Sequence, residues 1–134
     1  MACPFFYPVD RFDNGPWAVP PRLPLGDPYR GECRATDSAF APDEQHVRAV
    51  CNLGYGRNRC DHFPQSSASD AVRFHIAEDA GELIRIQFIF EKDCWPREHG
   101  TIECSAASGA SSADNAILQK QAGAFLDSYL RRRE

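Results

Sequence analysis

The prolines and cysteines of this chain are concentrated in its first half, and this limits what that half can fold into. Residues 1–64 contain nine of the ten prolines and four of the six cysteines of the 134-residue sequence. Proline fixes φ and donates no backbone hydrogen bond, so a proline-rich run such as residues 17–28 cannot form a helix or a central strand. We therefore expect an N-terminal half with little regular structure, in which residues 17–28 form an extended segment.

One short helix is expected within this half. Asp43 or Ser38 is suited to cap its first turn, since both side chains accept hydrogen bonds from free backbone N–H groups. Val47 and Cys51 then fall on one side of the helix. Gly54 is the expected residue just past its end, where a left-handed conformation favours glycine.

Residues 71–106 alternate apolar and polar side chains, which is the pattern of half-buried β-strands. Val72 and Phe74 in the first strand, and Ile84 and Ile86 in the second, are expected on one face. The strands are predicted at residues 71–78, 83–91 and, more weakly, 101–105, with turns at 79–81 and 95–100. The pattern predicts a three-stranded antiparallel meander.

A helix is predicted over residues 113–132, with Ser112 as its cap, after a Ser- and Ala-rich connector at residues 105–113. It is expected to cover the apolar face of the sheet. The fold class is therefore α+β: a three-stranded antiparallel meander with a C-terminal helix, wrapped by a Pro/Cys-rich N-terminal half. A single domain, residues 1–134, is expected, with halves at residues 1–64 and 71–132.

Charge and the N-terminal sequence narrow the class of protein. The chain has 15 basic and 19 acidic residues, so nucleic acid is not an expected partner, because phosphate binding requires a clustered positive surface. It has no membrane span, because no stretch approaches the roughly 20 apolar residues that cross a bilayer. The first residues show no export signal, which predicts a cytoplasmic location. Six cysteines in a reducing compartment indicate metal binding or reactive thiols rather than disulfides.

The four N-terminal cysteines are spaced C-x29-C-x17-C-x8-C, at Cys3, Cys33, Cys51 and Cys60. Four thiolates are the number that saturates a structural zinc ion or holds an iron–sulfur cluster. Structural zinc sites usually contain a pair of ligands about two to four residues apart, and this spacing has none. The corners of a [4Fe-4S] cluster can be reached from separate loops, so the spacing favours a cluster.

Neighbouring residues are consistent with this interpretation. Gly54 and Gly56, between two of the candidate ligands, allow backbone N–H groups to approach sulfur closely. Arg57 and Arg59 would offset the negative charge of four thiolates. Cys3 is followed by a proline, which turns the chain away from a ligand. The aromatic residues expected to shield the site from water are Phe5, Phe6, Tyr55 and Phe63.

The remaining cysteines and the histidines are given ordinary roles. Cys94 and Cys104 flank the last predicted turn and are expected to be free thiols or a facultative disulfide. His62, two residues after Cys60, is a candidate substitute ligand, whereas His46 is expected to face solvent. No catalytic motif is found, and a non-enzymatic role is favoured.

Four segments of the chain resemble a small uncharacterised bacterial Cys/Pro-rich protein family. They are CPFF at residues 3–6, PPRLPLGD at 20–27, YRGEC at 29–33 and CNLGY at 51–55. The resemblance covers most of the chain. It implies membership of that family and brings no established activity or mechanism with it.

The leading hypothesis is a small cytoplasmic iron–sulfur protein that serves in electron transfer or as an accessory subunit. Its expected partner is a redox protein or a larger enzyme, because a cluster saturated by four thiolates has no open position for substrate. The alternative is a zinc-stapled protein-interaction module that uses the same four ligands. A further alternative is a disulfide-stabilised exported protein.

Overall fold

Two antiparallel sheets and a long C-terminal helix make up most of the described structure, a computed structural model covering residues 2–11, 29–35, 38–56, 60–64, 66–106 and 115–133. The elements are β1 (Phe6–Arg11), β2 (Tyr29–Cys33), α1 (Glu44–His46), a π-helical turn (Val47–Cys51), β3 (Ala71–Asp79), β4 (Leu83–Lys92), β5 (Trp95–Ser105) and α2 (Ala116–Arg133). The expected extended segment 17–28, Arg57, Arg59, the Ser112 cap and the connector beyond Ala106 lie outside the described residues.

The predicted meander is confirmed, with sheet order β3-β4-β5. Its third strand, however, begins at Trp95, so the turn expected at residues 95–100 is wrong. The chain instead reverses at Asp93 and Cys94, whose φ values of 51° and 68° form the two-residue type of hairpin turn. Pro96 is tolerated because β5 is an edge strand of this sheet and the register shifts beside it.

The apolar face of the sheet packs against α2, as the alternation predicted. The buried side chains are Val72, Phe74, Ile84, Ile86, Ile102 and Cys104 from the sheet, with Leu118, Ala122 and Leu126 from the helix. The rings of Phe74 and Phe125 stack with centroids 5.7 Å apart. Each buried aliphatic or aromatic side chain stabilises the fold by roughly 1.5–3 kcal/mol, so this layer is the main apolar core.

Helix α2 starts at Ala116, three residues later than predicted. The side chain of Asn115 caps it: Oδ1 accepts hydrogen bonds from the backbone N–H groups of Ile117 and Leu118, at 2.8 and 3.1 Å. The helix ends at Arg133. Neither α1 nor α2, the helices within the described residues, combines the length and apolar character that a membrane crossing requires.

The N-terminal half contains a two-stranded sheet that the sequence did not predict. β1 pairs with β2 through Phe6 opposite Cys33 and Pro8 opposite Gly31, with a register shift after Pro8. A Cβ atom at Gly31 would lie 2.1 Å from the carbonyl oxygen of Tyr7, so only glycine permits this close pairing. The proline and the shift disrupt the alternation that would otherwise have indicated a strand.

The short helix of this half is confirmed. The carboxylate of Asp43 accepts a hydrogen bond from the backbone N–H of His46, and Gly54 follows the helix with φ of 80°. The last turn, Val47–Cys51, is π-helical. Single π-helical turns are frequent at functional sites.

The two halves share one hydrophobic core. Ala2 and Val72 exchange two backbone hydrogen bonds of 2.8 Å, which add the N-terminal segment to the edge of β3. Buried residues of the N-terminal half, including Phe6 and Tyr29, belong to the same cluster as those of the sheet and α2. The N-terminal half is therefore packed onto the sheet and the helix.

Candidate metal centre

Backbone hydrogen bonds of Cys3 and of the residue before it position this cysteine. Its backbone N–H donates to the carbonyl oxygen of Cys51 at 3.0 Å, while the preceding residue pairs with Val72. The backbone N–H of Phe6 donates back to the Cys3 carbonyl at 3.1 Å, closing a turn that begins with Pro4. The proline therefore turns the chain away from Cys3, as the sequence predicted.

The other three cysteines come from three further segments. Cys33 ends β2 and forms a bridge with Phe40, donating to its carbonyl oxygen at 2.7 Å. Cys51 ends the π-helical turn. The N–H of Cys60 donates to the carbonyl oxygen of Gly56 at 2.7 Å, which holds the cysteine in a separate loop.

These four cysteines line one cavity of about 350 Å³. Cys3, Cys33 and Cys51 are buried, whereas Cys60 is half-buried. Water in the liquid occupies about 30 Å³ per molecule, so the cavity has room for a group of many atoms. The other residues that line it are Phe5, Phe6, Ala35, Phe40, Ala41, Pro42, Asp43, His46, Val50, Asp61, His62 and Phe63.

Burial makes these thiols weak acids. It raises the pKa of Cys3 to about 12 from an ordinary value of 9.0, and it also raises the pKa of Cys51 and of Cys33. Charge on a neighbouring cysteine raises these pKa values further, and such electrostatic interactions connect every pair among the four. Without a cation, Cys3, Cys33 and Cys51 are therefore neutral thiols at pH 7.

Backbone N–H groups oppose this effect at the sulfur atoms of Cys3, Cys33 and Cys51. Those of Phe5 and Phe6 hydrogen-bond the sulfur of Cys3, and that of Ala35 hydrogen-bonds the sulfur of Cys33, which lowers each pKa. Hydrogen bonds of this kind stabilise a thiolate more than a thiol. The site thus contains donors suited to metal-bound sulfur.

Within the described residues, no group of three or more His, Cys, Asp or Glu side chains is arranged to hold a metal ion. Tetrahedral zinc requires its thiolates about 2.3 Å from one central ion. The four cysteines line one cavity without forming such a group.

Three of the four aromatic residues expected around the site do line the cavity. Phe5, Phe6 and Phe63 are among its walls, and the rings of Phe5 and Phe63 meet edge to face with centroids 5.6 Å apart. Tyr55 does not line it. Its hydroxyl donates to the carboxylate of Glu91 at 2.7 Å, because φ of 58° at Tyr55 directs the chain towards the sheet.

The histidines differ from the sequence expectation. His46 does not simply face solvent: it is half-buried, and its Nε2 lies 3.2 Å from the sulfur of Cys60. His62 is exposed, and its ring packs against that of Phe40 with centroids 4.6 Å apart. The expectation for His46 was wrong because Cys60, 14 residues later, lies against this part of the helix.

Cys94 and Cys104 lie at opposite ends of β5. Cys94 is exposed in the hairpin turn, whereas Cys104 is buried opposite Ile84. About ten residues of strand, at roughly 3.3 Å each, separate them, so a facultative disulfide between them is excluded. All six cysteines of the chain are free thiols.

Two buried amides that the sequence analysis did not single out connect the segments carrying the cysteines. Asn52 accepts a hydrogen bond from the N–H of Tyr29 and donates to its carbonyl oxygen, at 3.0 and 2.8 Å. Gln121 donates to the carbonyl oxygen of Cys3 at 2.8 Å. Two signals were available in the sequence. Gln121 lies between apolar residues of the predicted helix, and Asn52 directly follows Cys51.

No protein-family model, no curated protein and no solved structure matches the chain. The resemblance to a bacterial Cys/Pro-rich family therefore stays a hypothesis. Functional inference rests on the geometry of the cavity.

Proposed function

We propose that this chain is a small iron–sulfur protein that binds a [4Fe-4S] cluster, one thiolate to each iron. The ligands are Cys3, Cys33, Cys51 and Cys60. The observation that carries the proposal is that four cysteines from four separate segments line one cavity of about 350 Å³. This number of thiolates saturates such a cluster.

The size and the electrostatics of the cavity support a cluster over a single zinc ion. The cavity of about 350 Å³ has room for a cube of iron and sulfide, whose four bonding positions point outwards to four thiolates. The backbone N–H groups that face the sulfurs of Cys3 and Cys33 would stabilise the negative charge of the thiolates. Phenylalanine rings on the walls would keep water from the cluster.

A cluster held by four thiolates leaves no iron open to substrate, so the function that fits is one-electron transfer. The protein would act as an electron carrier or as an accessory subunit that exchanges electrons with a redox protein or a larger enzyme. Cys60 is half-buried while the other three cysteines are buried. The edge of the site at Cys60 is therefore the shortest route for an electron to the surface.

Anaerobic purification followed by iron and sulfide analysis tests the proposal. We expect about four iron and four sulfide per chain, visible absorption that bleaches on reduction, and an electron paramagnetic resonance signal in the reduced protein. Stoichiometric zinc without iron would instead support the zinc-stapled interaction module. A protein with neither metal would contradict both functions.

Matched cysteine variants separate ligands from packing residues. We expect Cys51→Ala to abolish stoichiometric cluster binding, because it removes a buried ligand. Cys104→Ala is the control, since Cys104 is equally buried but lies in the sheet core opposite Ile84. Equal iron content in these two variants would show that Cys51 is a packing residue.

A further inference from the structure

The four cysteines are not equivalent, and Cys60 differs from the others in two respects. It is half-buried, whereas Cys3, Cys33 and Cys51 are buried. Its sulfur lies 3.2 Å from Nε2 of His46, whereas the sulfurs of Cys3 and Cys33 are hydrogen-bonded by backbone N–H groups. At Cys60, a side chain therefore lies within hydrogen-bond distance of the sulfur.

His46 is held in this position by the start of the helix. Its backbone N–H donates to Oδ1 of Asp43 at 2.8 Å, and the Asp43 carbonyl oxygen accepts from Val47 at 2.9 Å. The following π-helical turn ends at Cys51. One short element therefore carries both a proposed ligand and the imidazole that contacts a second ligand 14 residues along the chain.

The donor in this contact follows from the chemistry of bound sulfur. A thiolate that binds iron has no hydrogen, so it can only accept, and the proton of the hydrogen bond belongs to Nε2 of His46. A hydrogen bond to a charged sulfur is stronger than one to a neutral thiol. Reduction adds a negative charge to a cluster, so such a donor stabilises the reduced form more than the oxidised form.

We propose that His46 is a positioning and tuning residue of the centre: its Nε2–H hydrogen bond to Cys60 raises the reduction potential and retains the least buried ligand. This inference rests on the proposed function, because it requires that Cys60 bind iron. It adds that the side chain of His46 acts on the ligand at the Cys60 edge of the site.

The test compares midpoint potentials of anaerobically loaded variants. We expect His46→Ala to lower the potential and to speed the loss of iron to a chelator. Glutamine places its Nε2 close to that of histidine, whereas asparagine is too short to reach the sulfur. We therefore expect His46→Gln to restore most of the potential and His46→Asn to behave like alanine.

His62→Ala is the matched control, because His62 lines the same cavity but its ring packs against Phe40. We expect its potential to equal that of the unmodified protein. Iron-loaded His46→Ala or His46→Asn with an unchanged potential would overturn the inference while leaving the cluster in place. A chain that binds no iron would overturn the proposed function, and this inference with it.

Discussion

Gln121, in the middle of α2, donates a 2.8 Å hydrogen bond from Nε2 to the backbone carbonyl oxygen of Cys3. The same amide donates to the carbonyl oxygen of Phe6 at 2.7 Å, so it holds both ends of the turn that follows Cys3. Gln121 is fully buried. The C-terminal helix therefore fixes the backbone of a cysteine that lies 118 residues earlier.

We expect Gln121→Leu to lower the free energy of unfolding by about 1–3 kcal/mol, because it removes two hydrogen bonds to backbone carbonyl oxygens from a buried site. Within the described residues, Oε1 of Gln121 has no hydrogen-bond partner, so the donor side of the amide supplies the stabilisation. Denaturation in urea measures the change. Gln119→Leu is the control, since Gln119 is exposed on the same helix, and an equal loss there would contradict a specific role for Gln121.

Substitution of Asn52 is expected to lower the stability of the fold as much as substitution of Gln121. The side chain of Asn52 makes three hydrogen bonds with backbone groups, two with Tyr29 and one, of 2.9 Å, with the carbonyl oxygen of Val47. Asn52→Asp places an oxygen against two carbonyl oxygens, so we expect it to destabilise the fold more than Asn52→Ala, which should cost about 1–3 kcal/mol. Thermal unfolding of both variants checks the order. The reverse order would mean that Asn52 donates neither hydrogen bond.

The metal-free protein is expected to lose stability at alkaline pH. Burial raises the pKa of Cys3 from 9.0 to about 12 and also raises that of Cys51. A raised pKa means that the folded state holds the proton more tightly, so the stability is complete below pH 9 and is lost between about pH 9 and 12. Between pH 7.5 and pH 9.8, each of these two thiols should lower the free energy of unfolding by roughly 1 kcal/mol.

Urea denaturation of the reduced, metal-free protein at these two pH values measures the loss. The range stops below 10 because Tyr55, whose pKa is raised by burial and by Glu91, would contribute at higher pH. A Cys3→Ala, Cys51→Ala double variant should show a smaller dependence on pH. If the unmodified protein is equally stable at both values, the thiols are more exposed in solution than the structure indicates.

Loss of a ligand should loosen the N-terminal half first. If metal binding supplies folding free energy to this half, Cys60→Ser should expose residues 2–64 to protease, whereas Cys94→Ser, in the exposed hairpin turn, should not. The Ala2–Val72 pairing means that β3 should also lose protection. Limited proteolysis of the anaerobically purified variants, with fragments identified by mass, shows which segments open.

Equal cleavage of Cys60→Ser and Cys94→Ser would mean that Cys60 contributes packing alone. Metal content measured on the same samples distinguishes this result from a failure to bind iron. The strands β4 and β5 pair with each other along their whole length, so we expect them to stay protected in both variants.

The spacing of apolar residues was sufficient to predict the strands and the helix of the C-terminal half, because each of them buries one regular face. Alternation over β3 and β4 predicted which side chains are buried, and Ile84 and Ile86 are fully inside. The start of β5 was missed because the reversal at Asp93 and Cys94 requires positive φ at two non-glycine residues. Only the pairing of Lys92 with Trp95 imposes that conformation.

The sequence by itself determined that four cysteines in a proline-rich half were the candidate ligands, since residue type and count limit the chemistry. It also limited the helical cap to Ser38 or Asp43 and predicted the turn after Cys3. Which surfaces meet was decided by the tertiary structure. Cys3 forms a backbone hydrogen bond with Cys51, and the His46 side chain contacts the sulfur of Cys60. No local sequence pattern predicts contacts between residues so far apart in the chain. Local propensity acts over a few residues, whereas these contacts exist only because the two halves bury a common core.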